Sequence, residues 1–351
     1  MKSAGMGNIL RTIYFLPSKN TALVIPFVLA LGFVTGLHLD TSPLKSCILI
    51  VTVLMVFPAM IGFRIGEVFN LLHSRLMLTA AVINFVVIPA VAYLLGSFFL
   101  RSDPQLFAGL IITALLPTSN LTIAFTMMAK GNVAGAVKLT AAGLILGALL
   151  APLYLSLLLG KYMPIDIAAT VKTISIVVAL PLAAGLVAYR LMLRKITAEK
   201  FRSDIRPYLP AASAWGMVFI VFTSVSMNAP IMVSQKKLFA AALAIQFVFI
   251  GLNYVISVFA GRTFFDRESA LSLVFGTALR NLAIAIGLAA SAFGSNAALM
   301  VSLAFLVQPQ AAAWFMKIHR KFDLFPSRDE PADSEENLNA VAGEPAPEET
   351  V

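Results

Sequence analysis

The sequence predicts an all-α membrane protein with ten transmembrane helices, arranged as two five-helix repeats of opposite orientation (a 5+5 inverted repeat). The chain of 351 residues is 59% hydrophobic and only 12% charged, whereas a soluble domain is about 25% charged. Its apolar residues form runs of the roughly 20 residues that are needed to cross a bilayer. Short matches between the two halves of the sequence indicate the repeat.

Composition excludes several classes of function. The single cysteine, Cys47, allows neither an intramolecular disulfide nor a cysteine-based metal site. The net charge of +9 does not predict a nucleic-acid partner, because the basic residues lie between apolar runs, where they determine topology. The sequence contains no Gly-rich phosphate loop, no metal-spaced histidine cluster and no Gly-x-Ser-x-Gly motif. We therefore expect a protein of the lipid bilayer that is not an enzyme and has no resident cofactor.

Ten spans are predicted, with short loops between them. They lie at about 21–39, 43–63, 76–100, 104–129, 132–160, 167–192, 207–229, 237–261, 268–293 and 295–317. Residues 1–20 form a short cytoplasmic N-terminus, and the basic segment 193–206 is a cytoplasmic linker. Residues 21–192 hold the first repeat and the sixth span, 167–192, which begins the second repeat; residues 207–317 complete it. Residues 318–351 are predicted to be a disordered acidic tail in the cytoplasm.

The distribution of lysine and arginine predicts the orientation. With the N-terminus in the cytoplasm, 18 of the 26 basic residues lie on the inner side, about 6 on the outer side, and two, Lys138 and Arg280, within spans. This asymmetry favours both termini inside, in a multi-pass protein of the inner (plasma) membrane of the cell. The inverted orientation is the alternative.

Two pairs of segments support the internal repeat. Residues 83–88 of span 3 match residues 245–250 of span 8, and residues 120–124 of span 4 match residues 281–285 of span 9, at offsets of 162 and 161 residues. An odd number of spans per repeat inverts the second half, as in secondary transporters that bind substrate near the midplane at broken helices. The alternative is coincidence between short apolar segments.

Polar residues interrupt the fourth and ninth spans. Pro117 lies in the centre of an apolar run, and a proline there removes a backbone donor and breaks or kinks the helix. Freed backbone groups at membrane depth persist only where protein or a water-filled cavity satisfies them. The candidate substrate- and ion-binding residues are Asn84, Pro117, Thr118, Ser119, Asn120, Thr122, Lys138, Thr140, Gln246, Thr277, Arg280 and Asn281. For the threonines and serines the alternative is a bond within the helix, and Asn84 and Gln246 could join neighbouring helices.

Arg280 and Lys138 place positive charge within predicted spans. A charge at the centre of a span costs about 2.5–3.5 kcal/mol on insertion scales, and such residues are mostly functional. No Asp or Glu falls centrally in a span, so two cations facing a cavity would favour a small anionic substrate. Lys138 lies nearer the end of its span, and its side chain could instead extend to the membrane surface.

Three stretches carry a family resemblance. The strongest runs from Pro117 to Pro152 and includes Ala129-Lys130-Gly131-Asn132-Val133-Ala134; the others are Asn84-Phe85 with Ile88-Pro89-Ala90, and Arg280-Asn281. Over about residues 20–317 the chain resembles the bile acid–sodium symporter family, within the wider group that includes arsenite efflux permeases. The resemblance implies a core domain and a panel domain. It also implies that spans 4 and 9 break and cross, with substrate and ions bound beside the crossing.

The resemblance carries over to individual sodium-site positions only in part. It places a sodium ligand of span 3 on Asn84 and one of span 5 on Thr140, while a Ser-Asn pair of span 4 falls on Thr122-Ile123. A Glu-x-x-x-Gln-Asn motif of span 9 falls on residues 276–281 and ends at Asn281.

Sodium could therefore bind at Asn84, Thr122, Thr140 and Asn281, but the bridging carboxylate is replaced by Gly276 and a ligand glutamine by Arg280. We hypothesise that Arg280 stands where sodium would bind.

Together these features predict a secondary active transporter of a small organic anion, which works by alternating access without sodium, or with coupling to a proton or an exchanged anion. One alternative is an efflux permease for arsenite or another metalloid. It is weakened because the cysteine that the resemblance implies after the span-4 proline is Thr118 here. Another alternative is a membrane sensor of the same fold that does not transport.

Overall fold

The computed structural model describes residues 2–62 and 74–325, and every regular element in these residues is helical. The helices are α1 (Lys2–Lys19), α2 (Thr21–His38), α3 (Ile48–Met60), α4 (Ser74–Phe99), α5 (Pro104–Leu115), α6 (Asn120–Met128), α7 (Val133–Leu159), α8 (Ile167–Leu193), α9 (Leu209–Ser234), α10 (Lys236–Phe264), α11 (Arg267–Ala278), α12 (Leu282–Ala292) and α13 (Ser295–Lys321). The prediction of an all-α fold is confirmed.

Seven of the described helical segments are long and apolar enough to cross a membrane, or eight if the bent pair α1–α2 counts as one span. The predicted fourth and ninth spans are not in this number, because each consists of two short helices. Helices α5 and α6 have 12 and 9 residues, and α11 and α12 have 12 and 11, against the 20 or so that a single span requires. At the C-terminal end, α13 continues to Lys321, and residues 326–351 of the predicted tail lie outside the described residues.

Proline also reshapes the long helix α4. A π turn occupies Ile83–Val87, directly before the Ile88-Pro89 pair. The ring of a proline clashes with the carbonyl four residues earlier, which here belongs to Phe85, and removes its hydrogen-bond donor. The hydroxyl of Tyr154 from α7 donates to that freed Phe85 carbonyl. The widened turn thus places Asn84, which is 3% exposed, inside the bundle.

Two helices make many of the contacts that surround the centre of the bundle. Helix α9 packs against α2, α3, α12 and α13, and α5 packs on α7, α12 and α13. Small residues allow the closest approaches, as is typical of membrane helices. A Cβ atom on Gly36 of α2 would lie 1.9 Å from the Ser226 carbonyl of α9, and one on Gly109 of α5 would lie 2.3 Å from the Ala297 carbonyl of α13.

Candidate functional site

The two helix breaks lie against each other in the centre of the protein. Pro117 and Arg280 pair as an isolated antiparallel bridge. The Thr118 N–H donates to the Leu279 carbonyl at 2.9 Å, and the Asn281 N–H donates to the Leu116 carbonyl at 2.8 Å. Each break thereby satisfies backbone groups of the other, which is the condition for irregular backbone at membrane depth. We call this pairing of residues 116–119 with residues 279–281 the junction.

Local sequence signals turn the chain at the junction and begin the helices that follow it. Thr118 has a φ of 61°, an uncommon value for a β-branched residue, and it turns the chain after Pro117. Ser119 and Thr122 then form a capping box that starts α6. The Thr122 hydroxyl also donates to the Phe275 carbonyl of α11 at 3.1 Å. Asn281 caps α12 by accepting from the Ile284 N–H at 3.2 Å.

The side chain of Arg280 is fully buried beneath the junction. Its Nη1 donates to the Ala114 carbonyl at 3.0 Å, and its Nη2 donates to Asn84 Oδ1 at 2.7 Å and also to the Thr277 carbonyl. Ala114 and Thr277 lie in the last turns of α5 and α11, where unpaired carbonyls carry partial negative charge. The guanidinium therefore sits in a cage of three oxygens, at the C-terminal ends of two half-length helices.

Asn84 and Gln308 hold this cage together from two sides. The Asn84 side-chain Nδ2 donates to the Gly276 carbonyl at 3.1 Å, so the amide joins α4 to α11 as well as to the guanidinium. The Gln308 Oε1 accepts from the Arg280 backbone N–H at 2.8 Å, and its Nε2 donates to the Arg280 carbonyl at 3.1 Å. Gln308 is not among the residues selected from the sequence. The available signal is a glutamine next to Pro309 inside a predicted span.

Three of the remaining predicted site residues donate hydrogen bonds to backbone carbonyls. Thr140 donates to the Ala136 carbonyl of its own helix at 2.8 Å, and Thr277 donates to the Leu273 carbonyl of its own helix at 2.7 Å, as the alternative for such residues predicts. Gln246 donates to the Met300 carbonyl at 2.9 Å and so joins α10 to α13.

Two further candidates lie on helices that adjoin the junction. Asn120 is the first residue of α6. Lys138 is buried in α7 at 3% exposure.

A cavity of about 200 Å³ opens beside the junction. Ser119, Asn281 and the first residues of α12 line one side, and α3 and α9 line the other through residues such as Met55 and Met217. Most of the wall is apolar. The buried hydroxyl of Ser213 on α9 has no hydrogen-bond partner among the described residues and belongs to the same wall.

Helix ends of opposite partial charge meet at the junction. The C-terminal ends of α5 and α11 surround the guanidinium of Arg280. The N-terminal ends of α6 and α12, at Ser119 and Asn281, border the cavity. Helix N-termini carry partial positive charge and attract anions. The cavity thus borders the electropositive helix ends, whereas the guanidinium of Arg280, which also lines the cavity, lies at the electronegative ones.

An all-helical membrane protein whose broken helices meet at a buried polar junction beside a cavity has the architecture of a secondary transporter. The sequence matches the family model described as the Sodium Bile acid symporter family over residues 48–235. Because the match spans more than half of the chain, this protein belongs to that family and is a membrane transporter. The resemblance found in the sequence is confirmed.

Curated relatives agree with this assignment. The uncharacterized protein YbaS of Bacillus subtilis is 27% identical over 256 residues, or 72% of this chain and 82% of the relative. The uncharacterized sodium-dependent transporter YocS of the same organism is 24% identical over 62% of this chain and 65% of its own length. The arsenical-resistance protein Acr3 of Corynebacterium glutamicum is 24% identical over 70% of this chain and 69% of its own.

Proposed function

We propose that this protein transports a small organic anion by alternating access and does not use sodium. One observation carries the proposal: the buried guanidinium of Arg280 occupies an oxygen cage at two helix C-termini, beside a cavity bordered by two helix N-termini. A cation that belongs to the chain fills the cage, and the electropositive cavity is left for an anion.

The cage contains a residue that the family resemblance assigns to sodium. Asn84, which stands at such a position, accepts a hydrogen bond from the guanidinium at its amide oxygen, at 2.7 Å. The bridging carboxylate implied by the resemblance is absent, since position 276 is glycine. A sodium ion about 4 Å from the guanidinium would be repelled by about 4 kcal/mol at an effective dielectric constant of 20. That repulsion would weaken sodium binding by roughly three orders of magnitude.

The lining of the cavity suits an anion with an apolar body. Its walls from α3, α9 and α13 offer residues such as Met55, Met217 and Phe305, while Ser119 and Asn281 stand at its polar end. A carboxylate or similar group would lie at the N-termini of α6 and α12, where partial positive charge is concentrated. The volume of about 200 Å³ favours a small molecule.

The proposed architecture is the ten-helix inverted repeat, with residues 21–192 and 207–317 contributing the spans and both termini in the cytoplasm of the inner membrane. Helices α2, α3, α8 and α9 would form the panel, and the other spanning helices would form the core around the junction. Two backbone hydrogen bonds and the Gln308 amide support a core that moves as one body. Movement of the panel against the core would expose the cavity to each side in turn.

The test is a binding screen followed by a flux assay. Small organic anions are screened by thermal shift on the purified protein, with sodium chloride or potassium chloride as the salt. An anion that binds is then followed into proteoliposomes in both salts. We expect equal binding and equal flux with and without sodium. A steep sodium requirement would overturn the coupling proposal, and binding without any flux would identify a sensor instead of a transporter.

A further inference from the structure

A second concave surface lies on the outside of the protein, between the end of α6 and the last two turns of α13. Its volume is about 550 Å³. Phe125 and Met128 line it from α6, and Ala313 and Met316 line it from α13. Positions three or four apart share one face of a helix, so Ala313 and Met316 lie on the same side of α13; the most exposed large apolar side chain of the groove is Met128, at 59%. We call this surface the α6–α13 groove.

Three cations stand at one end of the α6–α13 groove. Lys317, Arg320 and Lys321 all line it and all are exposed. Arg320 Nη2 donates to the Met128 carbonyl at 2.9 Å, which fixes its guanidinium at the end of α6. Asp323 is the nearest carboxylate in the sequence, and it is paired with Arg267 at 2.9 Å. The positive charge of the groove is thus not neutralised by that neighbour.

The position of the groove on α13 points to the membrane interface. Helix α13 is one of the candidate spans, and the three cations occupy its last turns. Trp314 and Phe322, which are 55% and 63% exposed, flank the same segment. Exposed tryptophan side chains such as Trp314 concentrate at the level of lipid headgroups. The apolar part of the groove therefore faces acyl chains, and its basic end faces the headgroup layer.

We propose that the α6–α13 groove binds one anionic phospholipid, with the phosphate held by Lys317, Arg320 and Lys321 and an acyl chain against Phe125 and Met128. Basic pockets between transmembrane helices recognise anionic headgroups in this way. An anionic phospholipid matches both parts of the groove at once. The acidic segment 326–351 of the same chain could match only the charge, because it offers few long apolar side chains. This site is independent of the transported substrate.

The test measures lipid preference on the full-length protein in detergent, with phosphatidylglycerol and phosphatidylcholine of identical acyl chains as probes. Retained lipid is counted by native mass spectrometry. Each cation near an anionic lipid surface contributes about fivefold to binding. We expect phosphatidylglycerol to bind at least tenfold more tightly. The triple variant K317Q/R320Q/K321Q should lose this preference.

A control variant, K195Q/K200Q/R202Q, removes the same charge from the segment 193–206. It should keep the preference for phosphatidylglycerol. Equal preference in the two triple variants would overturn the proposal.

Two further experiments identify what occupies the groove. If inorganic phosphate displaces phosphatidylglycerol, the groove is a free-phosphate site and the lipid proposal fails. If a chain that ends at Phe325 binds phosphatidylglycerol much more tightly than the full chain, segment 326–351 occupies the groove, and the proposal fails as well. We expect no displacement and equal affinity for the two chain lengths.

Discussion

Replacement of Arg280 by alanine should leave an empty oxygen cage inside the protein. Its three acceptors are the Ala114 and Thr277 carbonyls and the Asn84 amide, and all three lie too deep for bulk water. If the guanidinium acts as a built-in cation, a free cation of the same shape should be able to take its place. The variant therefore tests both the stabilising role of the side chain and the nature of the cage.

The size of the effect follows from two opposing contributions. Three hydrogen bonds from a charged group contribute about 1.5–3 kcal/mol each. Removal of the buried charge returns about 2.5–3.5 kcal/mol. The net loss of stability for Arg280→Ala is then about 1 to 6.5 kcal/mol. For a protein of this size the melting temperature should fall by about 5–10 °C near the middle of this range.

The assay is thermal unfolding in detergent with added guanidinium chloride at low concentration. At ten times its Kd, bound guanidinium would restore about 1.4 kcal/mol, or about 3 °C. Urea at the same concentration serves as the solute control, because it lacks the charge. Arg262→Ala serves as the protein control, since it removes an exposed arginine from the end of α10.

An Arg280→Ala variant that melts at the temperature of the native protein would refute the stabilising role of the side chain. If guanidinium raises the melting temperature of Arg280→Ala no more than that of Arg262→Ala, the cage does not bind a free cation.

Three more predictions concern the junction and its frame. The double variant Gly276→Glu/Arg280→Gln removes the fixed cation and introduces the carboxylate and the amide that the resemblance implies. Sodium should therefore raise the melting temperature of this variant. A melting temperature that does not change with sodium concentration would contradict this prediction. Gln308→Leu leaves the buried backbone N–H of Arg280 unpaired, at about 1–3 kcal/mol, while the Arg280 carbonyl keeps the Leu282 N–H as a donor. Its melting temperature should fall, whereas an unchanged value would mean that water replaces the amide. Gly36→Val would place a Cβ 1.9 Å from a backbone oxygen of α9 and should reduce the yield of folded monomer in size-exclusion chromatography. Gly251→Val is the matched control, because nothing lies within 4 Å of the added atom, and equal yields would refute the close contact.

Much of the candidate site is predictable from the sequence because polar residues are conspicuous in apolar runs. Pro117 marks the first break through its missing donor, and Arg280 marks the second through the cost of a buried charge. The repeat relates the two breaks to each other, and the family resemblance implies that they cross. Pro117 and Arg280 do pair in the structure.

The hydrogen-bond partners of Arg280 could not be predicted from the sequence. Two of its acceptors are backbone carbonyls, of Ala114 and Thr277, and every residue has a carbonyl. The helix ends make these two available, so their role depends on where α5 and α11 stop. Gln308 is missed for another reason: its amide binds the backbone of Arg280 and not a side chain, and a glutamine in an apolar helix has several other uses.

The filled oxygen cage has an electrical consequence under the proposed function. A cation tethered as Arg280 never crosses the membrane, so a transported monoanion carries its charge alone. One elementary charge moved through 100 mV corresponds to about 2.3 kcal/mol, or roughly a 50-fold concentration ratio. An inside-negative membrane would drive such an anion outward. A proton or an exchanged anion would cancel the charge, so the current per transported molecule would tell these modes apart.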